Sequence, residues 1–479
     1  MLGYIFSAVL FLSPALQSVF DLRLQLAFQL AVLCGSLCWI FLKAFGPGLP
    51  ASLADRRNLP LYAAAALSFI ALAVSPFKGY AACEWGNFGC GLLILALAPF
   101  LEESERALAG RALAAGAWLL FAVAAVQGLA LHNFASVPPL TNLNAMALYC
   151  VMVIPPALER RDWALAAAMT ALVVWSQSLG AALAALTAAG FYAASRGREL
   201  RENAAAYGAL LLLAAAVLWL AHGDSMAGRI TWWRSAAAMA AARPLTGFGH
   251  ASYTWAQALF QAPGAFREHA IYAHNYYLEF AAENGLPAAL AWFAALWLAA
   301  RRRAGLARYA VIAALAHSVV DFGLSVPAVF WTFCFLLASP ADGAEPALKP
   351  GRVSARAALA LAALLFAALL ALDARALAFE RARGRALAAA AAGDMPRAEA
   401  ALTPELDRDL FRLPALEFLG RLYMTAPGGV ARAAACFEEA LLVNRYSAAS
   451  WLALERIYST PGLEAEAAGL ALRKEALWK

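Results

Sequence analysis

The chain of 479 residues is far more apolar than an ordinary soluble protein: 63% of its residues are hydrophobic and only 14% are charged, against about 25% charged in a typical soluble domain. The low charge and the absence of a short repeat exclude a disordered chain, a coiled coil and a collagen-like protein. Seven scattered cysteines without a CxxC pair indicate neither a disulfide framework nor a zinc site.

Stretches apolar enough to cross a bilayer recur throughout the first 375 residues. They predict an all-α, polytopic membrane helical bundle of about 12–13 spans, near 3–20, 25–45, 59–76, 82–101, 107–130, 144–158, 163–177, 179–196, 204–222, 287–300, 306–322, 324–339 and 355–375. Basic clusters follow the even-numbered spans, so the positive-inside rule places them in the cytoplasm with the N-terminus. Residues 223–286 are then expected to form a large outward loop, which in a bacterium is periplasmic.

The first part of this outer loop predicts a helix from Arg229 to about Arg243, ended by Pro244 and followed by a turn at Gly247 and Gly249. Guanidinium groups at a membrane surface are forked donors suited to phosphate oxygens. Four loop arginines are therefore candidate phosphate ligands: Arg229, Arg234, Arg243 and Arg267. The alternative is that they only snorkel to the lipid headgroups.

The second part of the loop predicts a helix that His274 and Asn275 open, with Gly285 at its C-terminal cap and Pro287 preventing its continuation. Asn275 and Glu279 share a face of that helix. His274 is a candidate base, although a lone histidine of this kind is more often structural. His250, His269 and His274 lack the spacing of a metal site, so no metal is expected.

The composition changes once, near Arg375: residues 376–479 carry 13 basic and 13 acidic side chains, so a quarter of that segment is charged. A helix–turn–helix skeleton similar to the tetratricopeptide repeat (TPR) is matched by Leu419, Gly420, Tyr423, Ala433, Phe437 and Ala440. A generic alanine-rich helical hairpin is the alternative. The predicted division is therefore membrane helices in 1–222, the loop in 223–286, membrane helices in 287–375 and an outer TPR-like helical domain in 376–479, which would bind a protein partner.

Together the loop motifs resemble those of the bacterial O-antigen ligase and polymerase superfamily, whose members are polytopic membrane glycosyltransferases. The hallmark is matched by His274-Asn275, nine residues and then Gly285, but Ala288 departs at its last position. Further matches are Gly-Arg-x-x-x-Trp at 228–233, Pro-Leu-x-Gly-x-Gly at 244–249, Asn144 in TNLNAMALY and Asp321 in HSVVDFGLSVPA. The loop is then the catalytic one.

The resemblance implies transfer of a glycan from a polyprenyl (undecaprenyl) diphosphate carrier to an acceptor hydroxyl at the periplasmic face of the inner membrane, without a metal or cofactor. His274 would orient or deprotonate the acceptor, and Asn275 and Glu279 would hold its ring or the acceptor. The four arginines would bind the diphosphate, and Asn144, Gly285 and Asp321 would support the site. The acceptor would be lipid A core (ligase, in lipopolysaccharide biosynthesis), a growing O-antigen or exopolysaccharide glycan (polymerase) or a protein hydroxyl (protein O-oligosaccharyltransferase); nucleic acid is not an expected partner.

One departure from the family pattern lies at the end of the seventh predicted span. The family usually has Ser-Arg-Gly-Ala there, whereas this chain has Leu179 between Ser178 and Gly180. Either the loop arginines alone bind the diphosphate, or the donor site is altered or inactive. Two non-enzymatic alternatives therefore remain open, a transporter and a membrane anchor for the C-terminal domain.

Overall fold

The structure, a computed structural model, describes residues 1–16, 21–130, 142–197, 223–261, 270–338, 347–348 and 352–476. Within these ranges it contains nineteen α-helices and a two-residue antiparallel strand pair, β1 (Leu49–Pro50) with β2 (Ala347–Leu348). The first eight helices are α1 (Leu2–Leu12), α2 (Leu22–Phe45), α3 (Leu59–Ala73), α4 (Lys78–Leu97), α5 (Glu103–Ala125), α6 (Leu143–Glu159), α7 (Trp163–Ser176) and α8 (Leu179–Arg196). The fold is the expected all-α polytopic helical bundle.

The middle of the chain supplies the helices that carry the loop motifs. They are α9 (Gly223–Ala242), the short α10 (Tyr253–Ala256), α11 (Tyr276–Arg302), α12 (Ala307–His317) and α13 (Pro327–Leu337). Helix α11 packs along α3 and α9, α12 packs against α6 and α8, and α13 packs against α4. The predicted helix from Arg229 begins earlier, at Gly223, and ends at Ala242 as Pro244 indicates.

Four described helices are long and apolar enough to cross a membrane, namely 22–45, 81–100, 103–129 and 362–391. Five further apolar helices are shorter, between 10 and 17 residues. The span predicted at 204–222 lies outside the described residues. The number of spans and their orientation therefore stay predictions.

The C-terminal part begins with α14 (Arg352–Ala391), a helix of 40 residues that packs against α2 and α4 and runs unbroken through residue 376. It is followed by α15 (Met395–Leu406), α16 (Asp409–Thr425), α17 (Val430–Val443), α18 (Ala448–Tyr458) and α19 (Glu464–Glu475). A Cβ on Gly420 would lie 2.8 Å from the Phe437 ring, so α16 and α17 cross closely. This is the predicted helix–turn–helix, and its assignment to the TPR family stays a prediction.

Candidate functional site

The structure brings together three of the predicted site residues from distant parts of the chain. His274 Nδ1 lies 3.1 Å from Asp321 Oδ1, and Arg229 Nη2 lies 3.5 Å from Asp321 Oδ2. Asp321 is fully buried and also accepts a hydrogen bond from its neighbour's backbone, Phe322 N–H, at 2.8 Å. One carboxylate therefore connects the histidine to the arginine.

Aromatic rings fix the orientation of the His274 side chain. The indole of Trp232 stacks on the imidazole with ring centroids 4.8 Å apart, and Phe322 meets it edge-on at 4.9 Å. Trp233 Nε1 donates to the His274 carbonyl at 3.0 Å. His274 has φ 50°, in the left-handed region that few non-glycine residues adopt. Its ring is thus held against Asp321 from both sides.

The start of α11 is attached to the turn that follows α12, and this attachment positions the cluster. Asn275 is the N-cap of α11: its Oδ1 accepts from Leu278 N–H, while its Nδ2 donates to the Val319 carbonyl at 2.9 Å. The next residue, Tyr276, donates its backbone N–H to the Ser318 carbonyl at 3.0 Å. Asn275 therefore joins the histidine segment to the aspartate segment and does not hold the imidazole itself.

The glycine motif at 244–249 lies against the kink in α11. Gly285 has φ 80° and interrupts the helix, and Leu286 N–H donates to the Pro244 carbonyl at 2.7 Å. A Cβ on Gly285 would lie 2.5 Å from the Leu245 carbonyl oxygen, and one on Gly247 would lie 2.3 Å from that of Glu283. Both positions therefore require glycine, because the two backbone segments lie too close together for a Cβ atom. This close contact explains the glycines at 247 and 285.

Two buried glutamates on the loop part of α11 hold backbone segments in place. Glu279 accepts from Ala273 N–H at 2.7 Å and from the Ser325 hydroxyl at 2.5 Å, and Glu283 accepts from Tyr253 N–H at 3.0 Å. Burial raises the pKa of Glu279 to about 7. Burial, together with the charge of Glu279, raises the pKa of Glu283 well above its ordinary value.

The four predicted phosphate-binding arginines do not lie in one place. Arg234 is exposed on α9, and Arg243 donates to the Val74 carbonyl and lies over the Phe248 ring. Fourteen residues of helix separate Arg243 from Arg229, which corresponds to about 21 Å. These two arginines therefore do not bind the same phosphate group. Arg267 lies outside the described residues.

Two further positions that the sequence singled out lie at the starts of helices α6 and α8. Asn144 is in the first turn of α6, where its backbone N–H donates to the Asn142 cap. Leu179 begins α8, and a Cβ on the next residue, Gly180, would lie 3.1 Å from His317 Nε2. His317 is fully buried, and neither of its ring nitrogens has a hydrogen-bond partner among the described residues.

Sequence reasoning missed the Trp232 stack and the two-sided contact of Asp321. The aromatic residues of the loop are typical of a membrane interface, and spacing along the chain does not reveal which ring meets His274. In the described ranges, no three His, Cys, Asp or Glu side chains are placed to hold a metal ion. The expectation of a metal-independent reaction stays a prediction.

Comparisons with known proteins identify a family for part of the chain. A search of curated proteins returns no match. The model of the family described as O-Antigen ligase matches residues 164–293, a segment that includes Arg229, His274 and Gly285. This segment is therefore similar to the O-antigen ligase family, and the apolar helices of the described residues indicate a multi-pass membrane protein.

Proposed function

We propose that the chain is a glycosyltransferase that moves a glycan from a polyprenyl-diphosphate carrier to an acceptor hydroxyl, in the manner of an O-antigen ligase. The observation that carries the proposal is the contact between His274 Nδ1 and Asp321. In the neutral imidazole a proton on Nδ1 donates to the carboxylate, which leaves Nε2 as an acceptor. The same logic orients the histidine of hydrolase triads.

The proposed step is a displacement at the anomeric carbon of the donor. His274 Nε2 takes the proton of the acceptor hydroxyl while that oxygen bonds to the anomeric carbon. The bond from that carbon to the diphosphate oxygen breaks, and its electron pair leaves with the diphosphate. Arg229, the cation paired with Asp321, would stabilise the new negative charge, and Asp321 would stabilise the imidazolium. The proton then passes to solvent or to the leaving diphosphate.

We propose that the reaction takes place at the periplasmic face of the inner membrane. The loop and the C-terminal domain touch, since Phe248 and Tyr446 pack edge to face at 5.1 Å. This contact supports the proposal that both parts lie on the same side of the membrane, as the positive-inside rule predicts. A cysteine placed at the exposed Leu442 should react with an impermeant maleimide in spheroplasts, whereas one at Arg301 should react only after lysis.

The test of the activity uses purified protein in nanodiscs with the lipid-linked glycan of the host bacterium and its lipid A core as acceptor. Wild-type protein should release polyprenyl diphosphate, and His274→Ala should lower the rate roughly 10²–10⁴-fold. Because His274 is partly exposed, with 20% of its side chain accessible, the variant should fold and accumulate normally. Loss of activity that matches a loss of folded protein would contradict the proposal.

A further inference from the structure

A cavity of about 170 Å³ lies at the opposite end of the helical bundle from His274. The His274 cluster is at the start of α11, whereas this cavity is lined by Arg303, the residue that follows the end of the same helix. The 27 residues of α11 correspond to about 40 Å of helix. The positive-inside rule predicts that this end of the bundle is cytoplasmic. The cavity is therefore separate from the proposed active site.

Three arginines from distant parts of the chain line this cavity, and we call them the arginine cluster. Arg106 lies on α5, Arg160 follows α6 and Arg303 follows α11. Arg106 Nη2 donates to the Leu101 carbonyl at 2.8 Å, and Arg160 Nη1 donates to the Gly110 carbonyl. A Cβ on Gly110 would overlap the Arg160 guanidinium, so glycine makes room for that side chain. Backbone contacts thus hold two of the three guanidinium groups at the cavity.

The positive charge of the arginine cluster is only partly balanced by the protein. In the described part of the chain, none of the three arginines forms an ion pair with a carboxylate. Glu159 also lines the cavity, but one of its oxygens accepts from Leu306 N–H at 3.2 Å. The described lining therefore carries three positive charges and one negative charge.

Two members of the cluster also bury a hydrogen-bond donor that has no acceptor. Nε of Arg106 and Nε of Arg303 are buried without a partner among the described residues. An arginine that only snorkels keeps its guanidinium in water, so snorkelling does not explain them. Burial lowers the pKa of Arg303, Glu159 raises it and the charge of Arg106 lowers it. An anion in the cavity would satisfy the buried donors and relieve the repulsion between the arginines.

The remaining walls of the cavity are apolar, and a larger space adjoins it. Leu113 and Phe335 lie in the same lining as the guanidinium groups. A neighbouring cavity of about 760 Å³ shares Arg303 and has apolar residues of α4 and α11 in its lining, such as Leu95 and Leu298. A phospholipid carries its phosphate next to its acyl chains, so both kinds of wall would contact it. A free phosphate ion would gain nothing from the apolar walls.

We propose that the arginine cluster binds the phosphate group of an anionic phospholipid, such as cardiolipin, from the leaflet opposite the His274 site. The forked N–H donors of the guanidinium groups would hold the phosphate oxygens, and the acyl chains would lie along the apolar walls. The excess of positive charge favours an anionic headgroup over a zwitterionic one, because it repels the ammonium group of the latter. The inference does not depend on the proposed glycan transfer.

The first test is native mass spectrometry of the purified protein, with cardiolipin titrated into the detergent. Wild type should bind cardiolipin roughly tenfold or more tightly than phosphatidylethanolamine. Arg303→Gln and Arg106→Gln should each weaken cardiolipin binding roughly 10–100-fold, because a charged hydrogen-bond donor is lost. Arg56→Gln is the matched control: it removes the same charge from an exposed position that lines neither cavity, and it should bind as wild type does.

The second test seeks a gain in binding, which a misfolded variant would not produce. In Glu159→Gln the amide oxygen can still accept from Leu306 N–H, while the negative charge that competes with the phosphate is removed. Cardiolipin should therefore bind several-fold more tightly to Glu159→Gln than to wild type.

The outcomes that would overturn the inference are specific. Cardiolipin binding that is unchanged in both arginine variants, or equally weakened in Arg56→Gln, would show that the cluster is not the site. Equal binding of phosphatidylethanolamine, or unchanged or weaker binding to Glu159→Gln, would remove the electrostatic argument. Inorganic phosphate at constant ionic strength should not displace cardiolipin from wild type; displacement would assign the cavity to free anions instead of a lipid.

Discussion

At the residue scale, the site depends on how one buried carboxylate is shared. Asp321 contacts both His274 and Arg229, so the two groups proposed to act on opposite ends of the reaction are held by the same anion. Within a membrane domain a buried ionisable residue is costly unless it is paired. Here the pairing accounts for the cost and also sets the orientation of the imidazole.

Removing the charge of Asp321 while keeping its shape should therefore impair the chemical step. Asp321→Asn is expected to lower the turnover number roughly 10²–10⁴-fold, because the amide no longer stabilises the imidazolium or fixes the tautomer. Steady-state kinetics of polyprenyl diphosphate release would measure it. Ser318→Ala is the matched control, since that hydroxyl donates to the Ala314 carbonyl in the same turn and does not touch the His274 ring. Equal losses in the two variants would assign Asp321 a structural role only.

The two loop glutamates predict a dependence of stability on pH. The pKa of Glu279, about 7, and the raised pKa of Glu283 both exceed the ordinary value of 4.5. The folded protein therefore binds more protons than the unfolded chain above about pH 4.5, so stability is greatest below that value and falls as pH rises towards 7 and beyond. Wild-type Tm in detergent should decline from about pH 5 to about pH 8.

Replacing one of these carboxyl groups should weaken that dependence. In Glu283→Gln the amide oxygen still accepts from Tyr253 N–H, but the side chain no longer titrates. The decline in Tm over the same pH interval should therefore be smaller than in wild type. Parallel curves for the two proteins would show that the dependence arises elsewhere.

At the scale of elements, the site is built where a glycine-containing strand-like segment meets a kinked helix. The Pro244–Gly249 segment lies along residues 282–286 through three backbone hydrogen bonds: Phe248 N–H to the Ala282 carbonyl, Gly249 N–H to that of Glu283, and Leu286 N–H to that of Pro244. The kink at Gly285 separates the loop part of α11 from its apolar remainder. The two glycine motifs are thus one structural unit.

Substitution within this unit should be more harmful than at a glycine in open space. Gly285→Ala combines a φ of 80° with a Cβ 2.5 Å from a carbonyl oxygen, so we expect a loss of more than about 2 kcal/mol of stability and a lower Tm. Gly469→Ala, inside α19 with nothing within 4 Å of its Cβ, should instead be neutral or stabilising by about 0.5–1 kcal/mol. Thermal unfolding of both variants checks this, and a Gly285→Ala protein as stable as wild type would contradict it.

The sequence predicted where helices begin and end better than it predicted which residues of different helices contact each other. Caps and stops placed the start of α11 at Asn275 and the end of α9 just before Pro244, because capping is a local interaction. Asp321 and His274 are 47 residues apart in the sequence. They meet only because the start of α11 packs against the turn after α12, and this tertiary contact leaves no local sequence signal. Likewise, helical periodicity shows that Arg229 and Arg243 share a face of α9. It does not show that the length of the helix keeps them too far apart to bind one phosphate group.

At the scale of the whole molecule, the C-terminal domain is docked on the loop. Tyr446 packs against Phe248, whose ring also lies under the guanidinium of Arg243, and Gly79 at the start of α4 lies against the Leu410 carbonyl. The continuous α14, about 60 Å long by its 40 residues, attaches the domain to α2 and α4. The C-terminal domain is therefore held at two separate places, one on the loop and one at the start of α4.

Loosening this contact should expose the glycine segment of the loop. Tyr446→Ala is expected to speed hydrogen–deuterium exchange in residues 244–252 at least several-fold, because the ring that covers Phe248 is removed. Tyr458→Ala serves as the control, since that hydroxyl donates to Glu438 within the C-terminal domain. Unchanged exchange in Tyr446→Ala would show that the contact contributes little to loop stability.

A cavity of about 390 Å³ between the C-terminal domain and the membrane domain takes its walls from parts of the chain that are synthesised at different times. One wall comes from residues 76–79, and the other comes from residues 410–443, which are translated after the whole loop. Ribosomes add about 5–20 residues per second, so about 10–40 s pass between the synthesis of Trp255 and that of Val443. During most of that interval the nascent chain already contains His274 but lacks one side of the cavity. A chain that terminates early would insert its helices into the bilayer without ever assembling that wall.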